Sequence, residues 1–311
     1  MTTAFANSAV GYSSDPAVSS LPLMLGTPLL FAANMVVARW AESAAIPPLF
    51  LAFGRWMLAF VFLLPVAAPQ LWKWRRVLMA NWPRMLLLAS LGMGVAVAPQ
   101  YIGARNTSAA NIALIFAACP VLVVLIETAV WRIPVGRMRL CGMSLAAGGV
   151  LVVLSKGDVV TLGTLAFGRG DLWVVLAAAG WALYTVLGKR SLLPPMPGTV
   201  RLAALIGGGA LVLAPFAAWE AASGAIPNPG DARLFGALCF LAIVPSLGAY
   251  FLFDRLVGLA GAAGASVSMY LVPLYASLAA WPLLGEMPQG FHAAGFGLIL
   301  AGVILAGRQK R

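Results

Sequence analysis

Apolar residues fill this chain in runs of about twenty positions, the length a helix needs to cross a bilayer, and charged residues gather in the short gaps between runs. Read between turn and charge signals, the pattern predicts spans at 21–41, 47–67, 84–104, 108–131, 138–155, 170–188, 198–219, 233–253, 263–284 and 289–307. The runs lack the two-residue alternation of a membrane barrel. A backbone in lipid must also satisfy its hydrogen bonds within its own segment, so helices are the expected elements. The expected fold class is an all-α membrane protein of ten transmembrane helices.

The runs repeat. With Pro120 set on Pro273, a shift of 153, Gly142 falls on Gly295, Gly149 on Gly302 and Val150 on Val303. Earlier in the chain Phe31-Ala32-Ala33-Asn34 corresponds to Trp181-Ala182-Leu183-Tyr184, Arg39 to Lys189 and Arg55 to Arg201. Two halves of five spans each, an odd number, must enter the membrane with opposite orientation. Inverted repeats of this kind place a substrate site near the midplane, between the halves. The chain divides accordingly into a tail at 1–20 expected to be disordered, a first repeat at 21–155, a linker at 156–169, a second repeat at 170–307 and a basic tail at 308–311.

Composition sharpens the solvent. Of 311 residues, 62% are hydrophobic and 9% charged, far below the roughly 25% charged of soluble domains. A net charge of +11 would suit nucleic acid, but the basic residues sit in short loops, where they act as topology signals. With a cytoplasmic N-terminus, the loops on that side hold most of the lysines and arginines, among them Lys73, Arg75, Arg76, Arg137, Arg139, Lys189, Arg190, Arg308 and Arg311. Both termini are therefore expected in the cytoplasm, and no nucleic-acid partner is expected. The tail carries no signal-peptide pattern. Cys119, Cys141 and Cys239 lie in apolar runs without metal or disulfide spacing and read as packing residues.

Polar residues inside spans are costly and mark candidate sites. The first half offers Asn34, Gln100, Tyr101 and Asn111. The second offers Tyr184, Ser246, Tyr250, Ser266, Tyr270 and Ser277. Tyr270, Pro273 and Ser277 share a helical face, which Ser266 extends by a turn. Together with Trp181, these residues suggest a cavity with aromatic walls and neutral polar tips, suited to a flat, partly apolar solute. Arg55 lies about 12 Å inside its span at 1.5 Å per residue. It either attracts a substrate carboxylate or snorkels out to pair with Glu42. Glu127 is a candidate coupling site, or a partner of Arg132 or another basic loop residue. Asp254 reads as paired with its neighbour Arg255. Pro120 and Pro273 free a carbonyl one turn back and are candidate hinges.

The Trp181-Ala182 start of the sixth span and the Pro273, Gly285-Glu286, Gly295, Gly302 run resemble the EamA-like branch of the drug/metabolite transporter superfamily. Within it, the aromatic residues resemble those of bacterial aromatic amino acid exporters. The first half departs from the pattern, since Ile133 stands where Glu286 does. The resemblance implies a secondary transporter in the bacterial inner membrane, working by alternating access and exporting aromatic or large apolar amino acids or similar metabolites. Small multidrug exporters of the superfamily bind cations through a first-helix glutamate. Asn34 holds the comparable position here, which disfavours a lipophilic cation.

Carriers of nucleotide sugars or other organic anions, and proton-coupled multidrug exporters, remain the alternatives. No Walker A loop is present, the lone His292 has no spaced ligand partner, and no catalytic residue, cofactor or metal is expected. Beyond the substrate and the lipid bilayer no partner is implied, and one chain suffices to build the cavity.

Overall fold

The computed structural model describes residues 16–43, 46–107, 109–158, 160, 163, 168–189, 192–225, 227, 231–284 and 289–307. Among these the regular elements are all helical. They are α1 (Pro16–Ser43), α2 (Pro48–Ala80), α3 (Trp82–Ala89), α4 (Ala98–Ala104), α5 (Ala109–Ala117), α6 (Cys119–Trp131) and α7 (Arg137–Leu154). The second half supplies α8 (Arg169–Lys189), α9 (Gly198–Ala222), α10 (Ala232–Leu241), α11 (Ala249–Ser268), α12 (Leu271–Leu284) and α13 (Gly290–Gly307). Wider π-helical turns, Ser90–Val95 and Ala242–Gly248, lie between α3 and α4 and between α10 and α11.

Among the described residues, 8 helices are long and apolar enough to cross a membrane: Pro48–Ala80, Trp82–Ala104, Asn111–Trp131, Arg137–Leu154, Arg169–Lys189, Gly198–Ala222, Ala232–Ser268 and Gly290–Gly307. A shorter apolar stretch, Ser20–Asn34, stands at the predicted first span. The predicted ninth span is divided between the end of α11 and α12. Residues 16–20, expected in the tail, belong to α1. Residues 1–15, much of the linker, Glu286 and 308–311 lie outside the described residues.

Local chemistry sets the breaks. Pro48 opens α2, where its fixed φ suits the first helical position. There the buried Glu220 carboxylate of α9 accepts the Phe50 amide at 2.7 Å, stabilising the positive end of the helix. Gly261 adopts φ 79°, ψ 168°, a conformation closed to most L residues, and turns the chain between the predicted eighth and ninth spans. The helices also break just ahead of the two repeat-related prolines. Ala118 separates α5 from α6 before Pro120, and Met269-Tyr270 separates α11 from α12 before Pro273. That second break puts Ser266 on α11, Tyr270 in the break and Pro273 on α12, so Ser266 does not extend the predicted face along one helix.

Packing crosses between the halves. The first helix, α1, packs against the second π-helical turn, α11 and α12, while α8 packs against the first π-helical turn, α4, α5 and α6. The α7 and α13 helices run antiparallel with their backbones almost touching. A methyl group added at Gly142 would meet the Gly302 carbonyl at 2.6 Å, and one at Gly149 the Gly295 carbonyl at 2.7 Å. Reciprocal additions at Gly302 and Gly295 would meet Gly142 O at 2.5 Å and Gly149 O at 2.9 Å. Where lipid removes the hydrophobic drive between helices, such close approach is what gives contact. The outward surface stays apolar, with Val66, Leu211, Trp219 and Phe235 exposed.

Candidate functional site

A cavity of about 680 Å³, counting its open mouth, lies where elements of both halves meet. From the first half come Phe31 and Asn34 of α1, Arg55 of α2, Ala96 and Val97, Gln100 of α4, Phe116 and Ala117 of α5, and Cys119 of α6. The second half adds Trp181 of α8, Tyr250 of α11, Met269, and Val272 and Pro273 of α12.

Its aromatic wall is tightly knit. Phe31 meets Trp181 at 5.2 Å and Tyr250 at 5.5 Å between ring centres, and Trp56 meets Tyr250 at 5.0 Å, all edge to face. Such geometry brings the positive rim of one ring against the negative face of another. The π-helical turn at 90–95 supplies carbonyls that anchor the wall: Gly92 O accepts from the Tyr250 hydroxyl at 2.7 Å and Met93 O from Trp56 Nε1 at 2.9 Å. Tyr184 stacks behind, on Trp181 and Tyr250, and presses against Gly92.

Arg55 is the charge on this wall, 2% exposed. Its Nε donates to Ser246 Oγ at 2.9 Å, and its Nη1 to Asn34 Oδ1 at 2.7 Å and to Tyr101 Oη at 2.8 Å. Tyr101 also donates to Asn34 Oδ1 at 2.7 Å, and the Ser246 hydroxyl donates to Leu241 O at 2.7 Å. The guanidinium lies 4.6 Å from the centre of the Trp56 ring, a cation–π distance. All its partners are neutral, and no carboxylate among the described residues forms an ion pair with it. The snorkelling alternative does not describe this side chain, which turns inward to Asn34, Tyr101 and Ser246. The Glu42 side chain lies outside the described residues.

A second arginine cluster stands at the repeat-related positions. Arg201 Nη2 reaches Asp254 Oδ1 at 3.3 Å and the Gly188 carbonyl at 3.1 Å. This corrects the expected Asp254–Arg255 pair: adjacent helical residues point in different directions. The Arg255 guanidinium instead lies 5.9 Å from the Phe251 ring centre. Under the 153-residue shift Asp254 corresponds to Tyr101. One arginine therefore has a built-in counter-ion where the other has a phenol.

The remaining candidates fall elsewhere. Asn111 donates to Asp171 at 3.0 Å, joining Thr107 and the Gly168 amide around that buried carboxylate, away from the cavity lining. Ser266 bonds the Ala263 carbonyl of its own helix. Tyr270 is fully buried, and its hydroxyl meets no hydrogen-bond partner among the described residues. Glu127 is half-buried near the end of α6 and is not part of the cavity wall. The Ser277 side chain lies outside the described ones. Pro120 is buried next to Cys119 of the wall. Among the residues that sequence reasoning passed over, Phe31 carried a signal, since it is the repeat counterpart of Trp181. Trp56, Phe116 and Met269 carried none beyond apolar spacing.

The profile of the EamA-like transporter family matches twice, over residues 18–155 and 168–308. A relative from Archaeoglobus fulgidus, named an uncharacterized transporter, is 29% identical over 295 residues, covering 90% of this chain and 96% of its own. The uncharacterized inner membrane transporter YedA of Escherichia coli is 25% identical over 281 residues, covering 88% of this chain and 84% of its own. A solved crystal structure, 19% identical, superposes with a TM-score of 0.72 over 93% of this chain and 96% of that one, a likeness of fold alone.

Proposed function

Since this chain belongs to the EamA-like transporter family, whose pattern each half matches separately, we propose that it is a secondary carrier for small metabolites bearing a carboxylate beside a flat apolar group. Aromatic and large apolar amino acids are the simplest members of that class. The carrier works by alternating access, exports its substrate across the inner membrane and keeps both termini in the cytoplasm.

The observation that carries this reading is Arg55. A guanidinium at membrane depth is expensive, and its bonds to Asn34, Tyr101 and Ser246 orient it without neutralising it. A substrate carboxylate supplies the missing charge, and the Phe31–Trp181–Tyr250 wall suits the ring or aliphatic body. A nucleotide sugar would ask for more cations on the wall than Arg55.

The two-state mechanism rests on ten spans arranged as inverted repeats. Support comes from the antiparallel run of repeat-related helices α7 and α13, in which Gly142–Gly302 and Gly149–Gly295 exchange under the repeat shift. The crossed packing of α1 and α8, the paired π-helical turns and the paired breaks before Pro120 and Pro273 support it too. Two halves related this way exchange conformations to open the cavity to one side and then the other.

Uptake of labelled phenylalanine and tryptophan into liposomes holding the purified protein tests this reading. Saturable flux that persists without a pH gradient is expected. Flux of methylviologen alone, with no aromatic acid carried, would overturn the substrate class.

A further inference from the structure

Proline has no amide hydrogen, so Pro120 and Pro273 deny a helical donor to the carbonyls four residues earlier, those of Phe116 and Met269. Both of those residues line the cavity, although they sit on different halves. They are themselves 153 residues apart, as the prolines are. Around the second break the chain tightens: the Met269 amide bonds Ser266 O at 2.9 Å and the Val272 amide bonds Met269 O at 3.0 Å. A carbonyl oxygen has two lone pairs, so Met269 O can accept a further donor.

The rest of the wall is poor in acceptors. Asn34 Oδ1 already receives Arg55 and Tyr101, the Tyr250 hydroxyl is engaged with Gly92 O, the Gln100 amide oxygen is one neutral side-chain acceptor left on the wall, and no carboxylate among the described residues lines the cavity. Phe31, Trp181 and Val272 offer no lone pair. A zwitterion whose carboxylate sits at Arg55 still has to place its ammonium group, and ring faces attract a cation without directing its hydrogens.

We propose that the carbonyls of Phe116 and Met269, each denied its four-residue helical donor by a repeat-related proline, form the subsite for the ammonium group of an amino acid substrate. The wall thus selects the zwitterion over the simple acid, with one carbonyl contributed by each half. Interrupted transmembrane helices use freed carbonyls for cations in this way. The inference rests on reading this cavity as the substrate site.

The test compares phenylalanine with 3-phenylpropionate, the same acid without its ammonium group, by equilibrium binding to the purified protein. Pro120→Ala and Pro273→Ala each restore an amide donor that competes for the carbonyl. Each is expected to weaken phenylalanine binding by about tenfold or more, the effect of one charge-assisted hydrogen bond, with 3-phenylpropionate unchanged. Pro120→Gly and Pro273→Gly restore the same donor with a freer backbone and should behave alike, which separates the donor from helix shape. Loss of both ligands together, or of neither, would overturn the inference. So would a wild-type protein that binds the two acids equally, which leaves the carboxylate reading intact. A wild-type protein that binds neither acid would remove that reading itself.

Discussion

Tyr101→Asp is expected to abolish uptake of aromatic amino acids while leaving a folded, monodisperse protein. The second half already contains this arrangement: Asp254, at the position corresponding to Tyr101, neutralises Arg201 at 3.3 Å. Aspartate at 101 would face Arg55 in the same way and occupy the charge that the substrate carboxylate is proposed to meet. Competing with an internal ion pair, or losing one partner of a buried charged pair, costs about 2–5 kcal/mol, so a fall in binding of about thirtyfold or more is the expected scale. Tyr101→Phe removes only the hydroxyl that reaches Asn34 and Arg55, and a loss nearer tenfold is expected from one hydrogen bond to a charged group. Equilibrium binding alongside thermal unfolding in detergent separates the outcomes. A Tyr101→Asp protein that binds phenylalanine like the wild type would show that Arg55 is not the anchor.

Gly149→Leu should lower the protein's stability clearly, and Gly148→Leu should not. At Gly149 even a methyl group would lie 2.7 Å from the Gly295 carbonyl and 2.8 Å from Ile299. One residue earlier, a methyl at Gly148 meets nothing within 4 Å. The backbone carbonyl cannot turn aside as a side chain can, so the whole α7–α13 contact must open. Overpacking of this sort costs about 1–3 kcal/mol or more, and in a membrane no hydrophobic effect between helices restores it. Thermal unfolding by size-exclusion chromatography reports the difference. Equal stability of the two variants would mean that the glycine contact does not hold the halves together.

The sequence revealed those elements whose physical cost is local. A charge about eight residues inside a span, Arg55, is conspicuous because lipid penalises it wherever its partners lie. The glycines of α7 and α13 and the two prolines were visible because the repeat printed them twice. What stayed hidden depends on residues that meet only after folding. Asp254 was matched with its chain neighbour, yet its partner Arg201 comes from another helix. Asn111 looked like a lining residue because Asp171, 60 positions away, gave no sign that it would take up that amide. The π-helical turns leave no mark on hydrophobic spacing, since a single widened turn preserves the apolar character of the run. Their carbonyls, which hold Trp56 and Tyr250, were accordingly invisible.

Crossed packing of the two halves also bears on how the chain is made. When α8 leaves the ribosome, α4, α5 and α6 already exist to receive it. The first helix is received less fully: beyond Arg55 and Tyr101, which reach its Asn34, most of the surface that flanks α1 belongs to residues 242–284, about two hundred positions downstream. At about 5–20 residues per second, α1 waits roughly 10–40 s beside the insertion machinery before its neighbours are synthesised. Biogenesis is therefore lopsided in a molecule whose halves share one plan, and a chain stopped after the first half would leave α1 in lipid without most of the surface it packs on.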